Sequence, residues 1–156
     1  MNKQKFINEI IKHLDDGNAY RIDRIHEDER VKFMLDEIVP DLPDGITVHS
    51  CYTNSLTLYA PFDRKLMSAM PELMKDQGWT IGYVVSEREA TRTGRFAPIQ
   101  NYQKTFWRHG EAFTFYIEIT YSDGQEGSTC KRVKIGEETK IVDKFAWLCP
   151  ESPVEA

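Results

Sequence analysis

The sequence predicts an α+β fold: an antiparallel, largely meandering β-sheet with about three helices packed on one face. Three observations lead there. Apolar residues recur at helical spacing near the N-terminus and again near the middle of the chain, they alternate with polar residues through most of the second half, and short turn signals separate the alternating runs. With 156 residues, 40% apolar, 29% charged and 12% aromatic, the chain is long enough and apolar enough for one globular domain with its own core.

Phe6, Ile7, Ile10, Ile11 and Leu14 put one apolar stripe on a helix over residues 3–15, with Gly17 beyond it as a stop. Val31, Met34, Leu35 and Ile38 do the same for a second helix from Glu27 to Ile38. Val39-Pro40 ends it, because a residue before proline is pushed out of the helical region. After the loop Pro40 to Gly45 the period drops to two. Ile46, Val48, Ser50 and Tyr52, then Leu56, Leu58 and Ala60, read as a hairpin turning at Thr53-Asn54. Leu66, Met67, Met70, Leu73 and Met74 return to helical spacing and read as core, with Asp63 as N-cap and Gly78 past the end. Pro71 interrupts this stripe and predicts a kink or a restart.

Trp79 to Glu87 reads as a strand, and residues 87–99 as a long exposed excursion without a period. Gln100 to Arg108 and Glu111 to Tyr121 read as strands joined at His109-Gly110. The second carries the strictest alternation, with Phe113, Phe115, Ile117, Ile119 and Tyr121 on one face. Ser122-Asp123-Gly124 is a hairpin-turn signal leading into a last hairpin, and residues 150–156 read as a disordered tail. Residues 1–149 thus form a single domain.

The last hairpin, "CKRVKIGEETKIVDKFAWLC", is bracketed by Cys130 and Cys149. A turn at Gly136-Glu137-Glu138 sets Ile135 opposite Thr139, Val133 opposite Ile141 and Lys131 opposite Asp143, so apolar meets apolar and plus meets minus. Cys149 then lies roughly 17 Å out of register with Cys130 at about 3.3 Å per residue. A disulfide holds its Cα atoms within about 7 Å. Cys130 and Cys149 are therefore expected as two independent thiols.

The motifs exclude more chemistry than they indicate. There is no G-x-S-x-G and no phosphate-cradling glycine loop. His49 and Cys51 stand two apart on one strand, hence on one face, but a structural zinc site needs four ligands. No catalytic residue, metal or cofactor is implied; an enzyme whose site is assembled from scattered residues leaves no such trace. The N-terminus mixes charge into every turn and lacks the apolar region of a secretory signal, and no run approaches a membrane span. A cytoplasmic protein is expected.

Charge is uneven. The net charge is −5, yet residues 87–109 hold Arg88, Arg92, Arg95, Lys104 and Arg108 against Glu87 and Glu89, with Phe96, Tyr102, Phe106 and Trp107 interleaved. Arginine and aromatic residues are the usual anchors of protein interfaces. The partner-binding candidates are accordingly Arg88, Arg92, Arg95, Phe96, Lys104, Trp107 and Arg108. The same residues could instead stack and neutralise single-stranded nucleic acid. A solvated loop is the plain alternative to both.

Glu126 to Cys149 carries the skeleton G-S-T-C-K-x-V-x-x-G, then a short charged run and an aromatic-aliphatic-Cys strand end. It resembles the C-terminal end of small uncharacterised proteins encoded by phages and prophages. The resemblance implies an accessory gene of a mobile element and transfers no catalytic residue. Together with the missing motifs it leads to the expected function, a non-enzymatic protein that engages a protein partner, with inhibition of that partner as one consequence it could have.

Overall fold

The structure, a computed structural model, describes residues 1–12, 27–92, 97–137 and 143–150. The fold is α+β. Its main sheet has five strands in the order β1-β2-β5-β4-β3, and a separate pair, β6-β7, lies beside it. The strands are β1 (Thr47–Cys51), β2 (Ser55–Pro61), β3 (Thr80–Val85), β4 (Ile99–Arg108), β5 (Glu111–Ser122), β6 (Lys131–Glu137) and β7 (Asp143–Leu148).

The sheet is mostly antiparallel, but it is not a meander. β2 pairs with β5 in parallel, Ser55 opposite Tyr116 through Pro61 opposite Ser122. The helix α3 (Arg64–Asp76) carries the chain from β2 to β3 at the far edge, and β4 and β5 then fill the gap between them. The Ser122-Asp123-Gly124 signal does make a turn, though no hairpin: β6 leaves for the second sheet. At His109-Gly110 the expected hairpin forms, with φ of 52° and 78° and Arg108 opposite Glu111. Two positive φ values are what a type I′ hairpin turn requires, and glycine takes one without strain.

Helix α1 covers Lys3–Lys12; the expected residues 13–15 and the stop at Gly17 lie outside the described residues. The second helical segment, α2, changes pitch as it goes. Glu29–Phe33 is α-helical, Met34–Ile38 is a π turn and Val39–Asp41 a 3₁₀ turn, so helical character runs past the expected stop at Pro40. Asp28 caps its start by accepting the amides of Arg30 and Val31. Helix α3 runs unbroken through Pro71, so no restart occurs there. The excursion is in part a short helix, α4 (Glu87–Arg92), started by Ser86 Oγ accepting the Glu89 amide at 3.1 Å.

One face of the main sheet is the core. Leu56, Leu58, Phe115, Ile117 and Ile119 are fully buried there, clustered with Phe6 and Ile10 of α1, Met34 and Ile38 of α2, and Met70 and Met74 of α3. Leu73, expected in that stripe, is 43% exposed instead. A bulge at His49 alters the other expected alternation. Val48 and Cys51 pair across from Leu58 and Leu56 on the core face, while His49 stacks on Tyr59 at 4.6 Å on the opposite face. His49 and Cys51 are thus on opposite faces, since a bulge adds one residue and inverts the count.

The last hairpin departs furthest. Lys131 pairs with Leu148, Val133 with Ala146 and Glu137 with Asp143, with an irregularity between Lys134 and Gly136. β6 ends at Glu137 and β7 begins at Asp143; residues 138–142, Thr139 and Ile141 among them, lie outside the described residues. In this register Cys130 stands opposite Cys149. The two form a disulfide with Cα atoms 4.3 Å apart, so the expectation of two independent thiols is overturned.

Candidate functional site

The candidate binding residues of the sequence do not gather in one place. Strand β4 separates them. Alternate side chains of a strand point to opposite faces, and the buried Gln100 and Tyr102 fix which face is inward. Lys104, Phe106 and Arg108 share that inward side. Lys104 Nζ donates to the Gln77 carbonyl at 2.8 Å, lies 3.9 Å from Asp41, and sits over the rings of Trp79 and Phe106 at 5.7 and 5.3 Å. The Arg108 guanidinium lies 5.2 Å above the Phe33 ring. Both cations therefore cover the core margin, using their apolar stems and cation–π contacts.

Trp107 points the other way and is 74% exposed. Arg88 is exposed on α4, next to the end of β3 that pairs with Ile99. Ile99 and Arg108 are the two ends of β4, roughly 30 Å apart at about 3.3 Å per residue. Arg88 and the Trp107–Arg108 pair thus lie at opposite ends of the sheet. Arg92 ends α4; Arg95 and Phe96 lie outside the described residues.

The open face of the sheet presents a different set. Its rows run Trp107–Ala112, Thr105–Thr114, Gln103–Tyr116–Ser55 and Asn101–Glu118–Thr57. Tyr116 is 37% exposed on this face, two rows from Trp107. Among the described residues of the five strands this face carries no Lys or Arg, and Glu118, which accepts from the Tyr83 hydroxyl at 3.2 Å, is its one carboxylate. Tyr116 and the rows around it escaped sequence reasoning because Tyr116 sits at the polar phase of β5. The signal was present: an aromatic at an outward position of the most strictly alternating strand.

Other groups with reactive chemistry are committed elsewhere. Burial pushes the Cys51 thiol up to about 11, and its Sγ rests 3.2 Å from Met34 Sδ, so it is no nucleophile at neutral pH. Burial also raises the Tyr102 and Tyr121 hydroxyls, both of which donate to Gln100 Oε1 at 2.7 Å. A hollow of about 240 Å³ opens between the start of α3 and the disulfide, lined by Asp63, Arg64, Lys65, Thr129, Cys130 and Cys149. Its arginine is engaged: Arg64 Nη2 donates to Glu87 at 2.6 Å, and that carboxylate raises the Arg64 pKa. Asp63 already caps α3 by accepting the Lys65 amide. Among the described residues no three His, Cys, Asp or Glu side chains converge as metal ligands, and no helix is long and apolar enough to cross a membrane.

The open, nearly uncharged sheet face carries Trp107, Tyr116, Tyr83 and Tyr59, and among the described residues no acid–base or nucleophilic pair is assembled. No family model, no curated protein and no solved structure matches the chain.

Proposed function

We propose that the chain is a small non-enzymatic binding protein that engages a protein partner through the open face of its sheet, with Trp107 and Tyr116 as anchors. The carrying observation is Trp107, 74% exposed near the end of β4 and hydrogen-bonded into the β4–β5 ladder rather than placed on a loop. A large ring held at full exposure has few rotamers to lose on binding, which is why Trp and Tyr dominate interface energetics. The neutral Thr and amide surroundings suit the charge-depleted centre of a protein interface. In this reading α1, α2 and α3 cover the opposite face and keep the sheet stiff, and Arg88 acts at the rim at most.

The phage-like C-terminal segment supports an origin on a mobile element, and the same reading makes the chain an inhibitor of a host protein. A single-stranded nucleic acid is the second ligand class, since an exposed Trp beside Arg108 can stack a base. The missing Lys and Arg on the open face favour the protein. The test is capture from host lysate with wild type and Trp107→Ala in parallel. A protein retained by the wild type and lost from the variant at unchanged Tm is the expected result. Identical retained sets would sink the reading, and retention of nucleic acid with a log-linear loss in rising salt would replace it.

A further inference from the structure

Strand β3 ends the sheet and is paired on one side only, with β4. Its six residues, Thr80–Val85, carry no charge, and Ile81, Tyr83 and Val84 are 44%, 49% and 45% exposed. Natural edge strands are usually blunted with charge or proline, because an apolar edge recruits another strand. This one has neither, and exposed Leu73 of α3 extends its apolar margin on the helix side.

The bulge in β3 gives the edge an unusual symmetry. Ile81 pairs with Tyr102 and Val84 with Gln100, so both project to the helix-covered side. Gly82 and Tyr83 share the single partner Asn101 between them, and both belong to the open face. A Cβ on Gly82 would stand 2.6 Å from Asn101 Oδ1, and Tyr83 reaches Glu118. The order of sides along residues 80–85 is therefore open, helix, open, open, helix, open, and it reads the same in both directions.

We propose that β3 is a homodimer seam, in which two copies pair their β3 strands antiparallel about a two-fold axis at the 82–83 peptide. That register sets Thr80 against Val85, Ile81 against Val84 and Gly82 against Tyr83. Every pair matches side for side, the apolar margins meet, and no two tyrosines oppose each other at the axis. A shift by one residue would set Ile81 against Val85, on opposite faces, which sheet pairing does not allow. Charge agrees with the same register. Exposed Asp76, beside Lys75 at the end of α3, precedes β3, and exposed Arg88, between the Arg64-bound Glu87 and Glu89, follows it. An antiparallel two-fold brings each start beside the other copy's end, so Arg88 is set to meet Asp76 twice, as an isologous interface requires. The seam is shorter than a standard interface, so the dimer should be weak, with a Kd on the order of 10 µM.

Sedimentation of the purified full chain from about 1 to 200 µM tests this, with amide exchange of residues 80–85 measured at both ends of the range. The expected result is a monomer–dimer equilibrium with concentration-dependent protection confined to β3. Val84→Lys should weaken it at least about tenfold, and Arg88→Glu about fivefold, with the loss restored by adding Asp76→Lys. A monomer at 200 µM, a dimer whose β3 amides gain no protection, or a charge swap that fails to restore association would each overturn the seam. None of these outcomes touches the partner reading, because Trp107 lies on a different strand, outside the β3 edge.

Discussion

Gln100 shows how one residue can complete what another breaks. Proline has no amide hydrogen, so Pro71 leaves the Met67 carbonyl, four residues earlier in α3, without its helical donor. Gln100 Nε2 donates to that carbonyl at 2.9 Å, while its Oε1 accepts from Tyr102 and Tyr121. A single buried amide thereby satisfies a broken helix and two buried hydroxyls, which is why the helix runs through the proline. Replacing Gln100 with Leu strands all three groups and should cost about 2–4 kcal/mol by denaturant unfolding. Pro71→Ala returns a donor to Met67, so the same replacement should cost about 1 kcal/mol less in that background. Equal costs in both backgrounds would refute the coupling. The stripe across Pro71 was legible in the sequence. Its repair was not, because the donor comes from a strand 33 residues from the carbonyl it satisfies.

Cys51 gives a pH signature at the same scale. Its folded pKa, about 11, stands above the ordinary 9.0, so the folded state holds the proton that the unfolded chain releases. Stability should therefore be flat below about pH 9 and fall as pH rises towards 11. Cys51→Val should shrink that fall, and native protein should react with thiol reagents far more slowly than denatured protein. Equal labelling rates would contradict the raised pKa.

At the scale of the element, the β6–β7 pair is where local pattern and fold disagree. Lys, Glu and Thr alternate with Val and Ile on both arms, so several registers satisfy cross-strand pairing about equally, and Gly136 looks like a turn. The register is decided outside the hairpin. Trp147 stacks on Phe62 at 3.8 Å, the Thr129 and Cys130 amides donate to the Phe62 carbonyl, and the disulfide fixes the open end. A hairpin held mainly by tertiary contacts cannot be placed from its own sequence. Intact mass under non-reducing conditions should be two hydrogens below that of the all-thiol chain. Cys130→Ala with Cys149→Ala should cost about 3 kcal/mol, the loop-closure value for a bridge of this separation. An unchanged mass and unchanged stability on reduction would mean the bridge does not form. By contrast, the His109-Gly110 hairpin was readable throughout, because its turn and its alternation specify one register between them.

At the scale of the molecule, the elements were mostly legible and their arrangement was not. Turn chemistry reports which strands are neighbours in sequence, and a meander follows if every connection is read that way. The parallel β2–β5 pairing breaks the rule, since its partners lie 61 residues apart and no turn joins them. The binding candidates suffered from the same gap. Trp107 was found by its type and proved exposed, but Lys104 and Arg108 were assigned to it by proximity along the chain, when adjacent strand positions face opposite ways. The β3 edge went unnoticed because being last in the sheet is a property of topology. Only the uncharged run "TIGYVV" hinted at it.

The central position of β5 also orders the birth of the protein. Leu56 and Leu58 of β2 find their parallel partners only when residues 117–119 have been made, so the first hairpin and helices leave the ribosome with an unfilled core face. Contacts this distant in sequence slow folding and favour a single late, cooperative step. Chains released before β5 should be unfolded and prone to cleavage, and the completed chain should acquire protease resistance all at once.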